Sequence, residues 1–118
     1  MSRETSQDLQ TRTWRGLIPE DLLKFSWLEE IALAPDGQCV AYSVRRPDAA
    51  RNGYQVDVYL LDLETHVHHK LTISTGQGHS LVWRRDGQAL AYVWQGQEQT
   101  RVVVVDAEGA PKRDYVIP

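Results

Sequence analysis

The feature of this sequence that most restricts its fold is a short pattern that occurs twice, 50 residues apart. Residues 33–44 read LAPDGQCVAYSV, and residues 82–94 read VWRRDGQALAYVW. Each copy places an Asp-Gly pair between apolar runs, which is a strong hairpin signal because glycine supplies the positive φ that the turn needs. The sequence therefore predicts two β-hairpins, with structural turn residues Asp36 and Gly37 in the first and Asp86 and Gly87 in the second.

Two further strands are predicted after each hairpin. The third strand covers residues 56–63 in one copy and 101–108 in the other, and the fourth covers 67–73 and 112–117. Asp62 and Asp106 stand near the ends of the third strands, and we interpret them as turn-capping residues because Asp side chains hydrogen-bond the backbone of turns. They are only 44 residues apart, so the first copy carries six extra residues, which the sequence places in a loop within 45–55.

A unit of four strands in about 45 residues is typical of one blade of a β-propeller. Eight short strands would also fit an immunoglobulin-like sandwich, but a sandwich gives no reason for the same hairpin pattern to occur twice. The predicted fold is all-β, with two four-stranded antiparallel propeller blades over residues 31–75 and 76–118. Two blades are an incomplete propeller, because blades bury their faces against neighbours on both sides.

The residues before the first hairpin differ in pattern from the rest. Residues 1–17 are polar and aperiodic, and they predict a flexible arm. Residues 18–30 predict a short helix, because Pro19 suits a first helical turn and Glu20 and Asp21 suit the positive end of the helix dipole. So short a helix must pack against something larger.

Composition narrows the class of protein and of partner. The chain has 118 residues, enough for one domain, with 42% hydrophobic residues and a net charge of -3. The sequence contains no basic patch of the kind that binds nucleic acid, so nucleic acid is not an expected partner. The single cysteine, Cys39, forms no internal disulfide, and no apolar run is long enough for a signal peptide or a membrane span. We therefore expect a cytoplasmic protein with no membrane partner.

The repeated strings, with VYLLDLE followed by HKLT, resemble the WD-repeat-like and TolB-like blades of prolyl oligopeptidase family serine peptidases. Over residues 18–118 the chain looks like the opening of acylaminoacyl-peptidase and dipeptidyl-peptidase relatives, where a short helix precedes a first blade that holds a loop insertion. It departs from the common Ser-Pro-Asp-Gly turn, with Ala34 and Arg84 in the serine position. It also reads Thr65-His66 where glycine is usual, so a residue there adopts positive φ only with strain.

The resemblance implies a protein segment without catalytic residues or a cofactor. In that family the catalytic triad lies in a separate α/β-hydrolase domain, in which the nucleophile occupies a Gly-x-Ser-x-Gly elbow. This sequence has no such elbow, and its nearest string is GQGHSL at residues 76–81. We interpret that string as a flexible loop between blades that contains Ser80, and not as a nucleophile or a phosphate-binding site, since the third glycine of the phosphate fingerprint is missing.

Two further groups of residues have structural interpretations. His66 and His68 would project from one face of a strand, beside His69, with His79 or Asp62 as a third metal ligand in space. We interpret these histidines as a solvated outer strand and assign no metal. Trp83 and Trp94 are expected to pack between blades.

The expected function is that of a non-catalytic propeller segment that restricts access to the active site of a peptidase. Its partners would be further blades or a hydrolase domain. The alternative is a stand-alone protein-protein interaction module that completes its propeller by self-association, as a homo-oligomer, if the chain is complete. In either case something must cover the apolar faces of the two blades.

Overall fold

A computed structural model describes residues 27–48 and 53–117 of the chain, and these residues form β-strands and turns without a helix. The eight strands are β1 (Leu28–Leu33), β2 (Cys39–Asp48), β3 (Gly53–Asp62), β4 (His68–Lys70), β5 (Gly76–Trp83), β6 (Ala89–Gly96), β7 (Thr100–Asp106) and β8 (Pro111–Ile117). The all-β class predicted from the sequence is therefore confirmed for the described residues.

The strands form two antiparallel units of four. In the first unit, β1 to β4 pair in sequence order, and in the second unit β5 to β8 do the same. A single parallel bridge between Val56 of β3 and Gln77 of β5 links the units. The resulting sheet is open, with β1 at one end of the strand order and β8 at the other.

The Asp-Gly turns join β1 to β2 and β5 to β6, at the positions that the sequence predicts. Gly37 and Gly87 have φ angles of 73° and 74°, a region that glycine enters without steric cost. In the first turn, Oδ1 of Asp36 accepts a hydrogen bond from the N–H of Gln38, at 3.1 Å. In the second, Oδ1 of Asp86 accepts one from the N–H of residue 88, at 2.9 Å.

The main hydrophobic core lies between the two units, which pack face to face. Its buried members are Ala34, Cys39, Ala41, Val58 and Leu60 from the first unit, with Leu81, Leu90, Tyr92, Trp94 and Val105 from the second. Burial raises the pKa of the Cys39 thiol, and the nearby Asp62 carboxylate raises it further. A second buried cluster lies on the opposite face of the first unit and contains Leu28, Ile31, Val40, Tyr42 and Leu61.

The helix predicted over residues 18–30 is wrong where the structure describes it. Residues 28–30 belong to strand β1, which pairs with β2, and Leu28 and Ile31 are buried in the second cluster. Pairing with β2 satisfies the backbone of this segment, so long-range contacts override the local helical signal. The rest of the predicted helix, 18–26, and the predicted arm over 1–17 lie outside the described residues.

The six extra residues of the first copy lengthen a hairpin, and their prediction as a loop within 45–55 is wrong. The β6–β7 ladder ends at the pair Gln95 and Thr100, whereas the β2–β3 ladder continues to the pair Asp48 and Gly53. Three additional residue pairs on the first hairpin account for all six residues. The first unit thus projects farther than the second at this end of the sheet.

The predicted loop at residues 76–81 is also wrong, because these residues form most of strand β5. β5 pairs with β6 from Gly76 to Trp83, with a bulge between His79 and Val82. Its glycines face the indole ring of Trp94, which comes within 2.8 Å of where a Cβ at position 76 would stand. They allow close packing, and a sequence reading that associates glycine with flexibility misses this role.

Candidate functional site

The candidate site is a cleft of about 280 Å³ at the junction of the two units. The first unit contributes Glu29, Glu30, Ser43, Arg45, Tyr54 and Val56 to its lining, and β5 contributes Gln77, Gly78 and His79. Tyr54 stands on the hairpin extension that distinguishes the first unit from the second. The cleft therefore depends on the inserted residues as well as on the packing of the two units.

Arg45 is held in the cleft by two aromatic rings and one carboxylate. Its guanidinium carbon lies 5.1 Å from the centre of the Trp27 ring and 4.7 Å from that of the Tyr54 ring. Its Nε atom lies 2.8 Å from Oε1 of Glu29, without the alignment of a hydrogen bond. Cation–π contacts and ionic attraction therefore both restrict this side chain.

Glu30 joins the first strand of each unit, β1 and β5. Its carboxylate accepts hydrogen bonds from the N–H groups of Ser80, at 3.0 Å, and Leu81, at 2.7 Å. These amides belong to the β5 bulge, where Ser80 has a φ of 59°. Trp83 adds a second link, because its indole N–H donates to the carbonyl oxygen of Ala32 at 2.8 Å.

A buried carboxylate fixes the segment that connects the units. Asp57 is 1% exposed, and its Oδ1 accepts hydrogen bonds from Nε2 of Gln55, at 3.0 Å, and Oγ1 of Thr72, at 2.7 Å. Its Oδ2 lies 3.3 Å from Nε of Arg46 and 3.6 Å from Nζ of Lys70. Burial raises the pKa of Asp57, but the hydrogen bonds and the lysine charge outweigh burial, so the net pKa is lowered.

The same network extends along the connecting segment. Nε2 of Gln55 also donates to the carbonyl oxygen of Ser74, at 2.9 Å, and its Oε1 accepts from the N–H of Gly76, at 2.9 Å. Gln55 therefore ties the buried Asp57 to the start of β5. This arrangement determines how the second unit enters the structure after the first.

Asp62 and Asp106, which the sequence predicts as turn residues, each organise the turn of their own unit. Oδ1 of Asp62 accepts from the N–H groups of Glu64, at 2.9 Å, and Thr65, at 3.0 Å. Oδ1 of Asp106 accepts from the N–H groups of residues 108, at 3.0 Å, and 110, at 2.9 Å. The backbone N–H of Thr65 is the largest influence on the pKa of Asp62, which is lowered. The two carboxylates form no common site.

The turn after Asp62 contains the non-glycine positive φ that the sequence suggests. His66 has a φ of 62°, whereas Gly109 serves the corresponding turn of the second unit with a φ of 88°. The backbone N–H of His66 donates to the carbonyl oxygen of Asp62, and that of Gly109 donates to the carbonyl oxygen of residue 106. Both turns therefore contain a residue with positive φ, but the first closes between residues four apart in the chain and the second between residues three apart.

The histidines do not converge on a metal site in the part of the chain that the structure describes. His68 on β4 lies with its Nδ1 2.7 Å from the hydroxyl of Tyr42. His69, the next residue along the strand, pairs with Leu60 of β3. His79 lies on β5, and its Nδ1 is 2.8 Å from Oγ of Ser80. Trp94 is buried in the core between the units, which agrees with the packing role predicted for it.

Apart from His79, a candidate metal ligand, the residues of the cleft and of the buried network have no functional role in the sequence-based prediction. Asp57 carried a usable signal, because a carboxylate within an apolar strand requires hydrogen-bonding partners. Glu30 and Ser43 carried none, since their surroundings depend on residues of other strands. No helix in the described residues is both long and apolar enough to cross a membrane.

Comparison with known proteins gives related sequences and related folds. The chain is 28% identical over 83 residues to dipeptidyl-peptidase 5 of Porphyromonas gingivalis, covering 70% of this chain and 12% of that protein. It is 26% identical over 104 residues to dipeptidyl-peptidase 5 of Porphyromonas endodontalis, covering 88% of this chain and 15% of that protein. The chain thus spans less than a sixth of these curated relatives. No protein-family model matches it.

Two solved structures share the fold. The β-propeller domain of the trilobed protease from Pyrococcus furiosus matches with a TM-score of 0.62 and 22% identity, over 78% of this chain and 29% of that one. Acylaminoacyl peptidase from Pyrococcus horikoshii matches with a TM-score of 0.62 and 16% identity, over 84% and 15%. The chain therefore shares the fold of a peptidase propeller domain, that of the trilobed protease. The resemblance to the propeller of a peptidase of this family, stated from the sequence, is confirmed.

Proposed function

We propose that the chain is a non-catalytic β-propeller segment of a prolyl oligopeptidase family serine peptidase, in which each four-stranded unit is one blade. In that arrangement the segment covers the active site of an α/β-hydrolase domain and restricts which peptides enter. The short share of each peptidase that the chain spans, together with a match to an isolated propeller domain, supports this proposal.

The observation that carries the proposal is a repeated pattern of faces. In the first unit, Ala41, Val58 and Leu60 form the face that the second unit covers. Their equivalents in the second unit, at offsets of 50 and 44 residues, are Ala91, Val102 and Val104 on its outer face, where Ala91 pairs with Val104. The second unit therefore repeats, on its outer face, the surface by which the first unit binds its neighbour.

This outer face is only partly covered. Ala91, Val102 and Val104 are half-buried, and Val82, which pairs with Ala91, is 61% exposed. Apolar sheet faces of this kind are covered by a neighbouring blade in a propeller. A third blade is the partner that the repeat favours for this face.

Self-association is the second candidate function, and the same outer face favours it. If copies of the chain cover one another, the exposed Val82 and the half-exposed Tyr115 of β8 would lie in the contact. In a head-to-tail ring, Tyr42 of the first unit would make the contact between units that Tyr92 makes in the second unit. Tyr42 is already buried, so it would first have to be uncovered. Molar mass in solution distinguishes a homo-oligomer from an isolated blade pair.

A chimera tests the propeller proposal. Residues 27–117 would replace the matched segment in dipeptidyl-peptidase 5 of Porphyromonas gingivalis, and peptidase activity and solubility would be measured. We expect an active, soluble chimera, because the outer face of the second unit meets the next blade of the host.

The control chimera carries V82D and V102D, which place carboxylates on that outer face. We expect it to be insoluble or inactive, because buried charges without partners are costly. If the unsubstituted chimera fails in the same way, while the 118-residue chain alone is a stable monomer that binds no hydrophobic dye, the proposal is refuted.

A further inference from the structure

The outer face of the first unit, which is the side of its sheet turned away from the second unit, is as buried as the main core. Its buried residues are those of the second cluster, Leu28, Ile31, Val40, Tyr42 and Leu61. Val40 and Leu61 are 0% exposed, and Tyr42 is 1% exposed. The side chains packed against this cluster all belong to the first unit, and the second unit contacts the opposite face, at Ala41 and Val58. No described strand therefore forms a layer over the outer face.

The second unit shows how an uncovered face of this sheet looks. Val93 lies in β6, a central strand like β2, and it faces outward because its neighbours Tyr92 and Trp94 face the core. Val93 is half-buried, and Val82 in the adjacent β5 is 61% exposed. Val40, in the central strand of the first unit, is fully buried. Additional chain must therefore cover the outer face of the first unit.

Tyr42 and His68 indicate where the covering chain passes. The Tyr42 ring stacks on Tyr59 with 5.1 Å between the ring centres, and its hydroxyl lies 2.7 Å from Nδ1 of His68. Tyr42 and His68 each make a further interaction besides their contacts with each other and with Tyr59. A segment that crosses the outer face at Tyr42 and reaches its margin at His68 accounts for both.

Three stretches of chain lie outside the described residues, namely 1–26, 49–52 and 118. Residues 49–52 follow β2, whose last residue lies eight positions beyond Val40, about 26 Å away at roughly 3.3 Å per residue. Four residues are too few to cover that distance and return. Residue 118 follows β8 in the second unit. Residues 1–26 lead into β1, whose Leu28 lies in the outer face, so they are the source of the cover.

The apolar part of this stretch is also long enough. Its apolar residues are concentrated just before β1, at Leu17, Ile18, Leu22, Leu23 and Phe25. The pairs that β1 forms with β2 extend over four residues of β2, which is about 13 Å. Residues 17–26 would span about 15 Å as a helix and about 33 Å as an extended chain, so they reach across the face in either conformation.

We propose that residues 17–26 fold back from β1 over the outer face of the first unit and bury their apolar side chains against Val40, Tyr42 and Leu61. This segment occupies the surface through which a further blade or a second copy of the chain would contact the first unit. While the segment is bound, only the outer face of the second unit is open to a partner, so head-to-tail rings do not form. The segment is thus a removable cap that limits assembly, and it does not depend on the proposed function.

Paramagnetic NMR on the 118-residue chain tests where the segment lies. A nitroxide attached at K24C broadens the methyl signals of residues close to it, while the native Cys39 is buried and escapes labelling. We expect strong broadening at Val40 and Leu61, with little at Val102 on the outer face of the second unit. Sharp signals from Val40 and Leu61 would overturn the proposal, as would broadening at Val102 in their place.

Two controls exclude other sources of broadening. A nitroxide at E98C, between β6 and β7, should leave the signals of Val40 and Leu61 sharp. A mixture of nitroxide-labelled K24C chain with isotope-labelled wild-type chain should also leave them sharp, because the cap belongs to the same chain as the face it covers. Broadening in the mixture would mean that a second copy supplies the cover, which contradicts the proposal.

A double variant removes the cap. L22D with L23D places two carboxylates in the apolar segment, and T11D with T13D adds the same charge to the polar stretch before it. We expect the first variant to bind about twice as much hydrophobic dye as wild type, because a second apolar sheet face becomes exposed, and the control to bind as wild type does. Equal dye binding by the two variants would overturn the proposal. If the first variant fails to fold, the nitroxide experiment on K24C still decides, and a failed chimera leaves both measurements unaffected.

Discussion

Replacement of the buried carboxylate of Asp57 tests how the two units are joined. D57A removes the acceptor of two buried hydrogen bonds, from Gln55 and Thr72, and of two ionic contacts with the partly exposed Arg46 and Lys70. Gln55 keeps its bond to the carbonyl oxygen of Ser74, so Thr72 is the donor left without an acceptor. One unsatisfied buried donor costs about 1–3 kcal/mol, and the lost volume adds to it, so we expect a loss of about 3 kcal/mol.

D57N is the matched variant, because it keeps the shape of the side chain and one carbonyl oxygen. That oxygen can still accept from Gln55 and Thr72, whereas the ionic contacts with Arg46 and Lys70 are lost. Contacts with partly exposed cations contribute about 0.2–1 kcal/mol each, so we expect D57N to lose about 1 kcal/mol. Urea unfolding followed by circular dichroism measures both values. Equal losses of stability in D57A and D57N would show that the buried hydrogen bonds contribute no more than the ionic contacts, and would refute the reasoning.

The pH dependence of stability gives an independent check on Asp57. Its pKa is lower in the folded chain than in the unfolded chain, so the ionised carboxylate contributes stability that is fully present above the unfolded pKa, near 3.9. That contribution is lost as pH falls from this value through the lowered folded pKa. We expect the stability of the wild-type chain to fall more steeply than that of D57N in this acid range. Parallel curves would contradict the lowered pKa.

Three further substitutions probe the junction and the turns by urea unfolding. G78A should lose about 1–3 kcal/mol, because an added Cβ would collide with the Val58 side chain; an unchanged stability would mean that the units separate easily. E30A should lose about 1.5–3 kcal/mol, because two N–H groups of the β5 bulge lose a charged acceptor, and E29A, whose carboxylate makes only an ionic contact, should lose less. H66G should gain about 0.5–1 kcal/mol by relieving the positive φ, and a loss would show that His66 makes a stabilising contact.

Local signals predicted the strands well where turn chemistry marked their ends. The Asp-Gly pairs located two hairpins, because positive φ at Gly37 and Gly87 is a property of the turn itself. The same local reasoning failed at residues 28–30, where strand pairing overrides a helical pattern, and at Gly76 and Gly78. There the glycines serve close packing against Trp94 and Val58, which no neighbouring residue in the sequence indicates.

The sequence by itself determined the number of strands, their antiparallel order within each unit and the turns that join them, because these depend on residues close together in the chain. Only the tertiary structure decided which faces meet, that Glu30 binds the β5 bulge 50 residues away, and that Ser43 and Arg45 line one cleft. Such contacts arise when two sheets pack, and their geometry depends on side chains from both. The repeat specifies each unit locally, whereas the packing of unequal units creates the polar cleft between them.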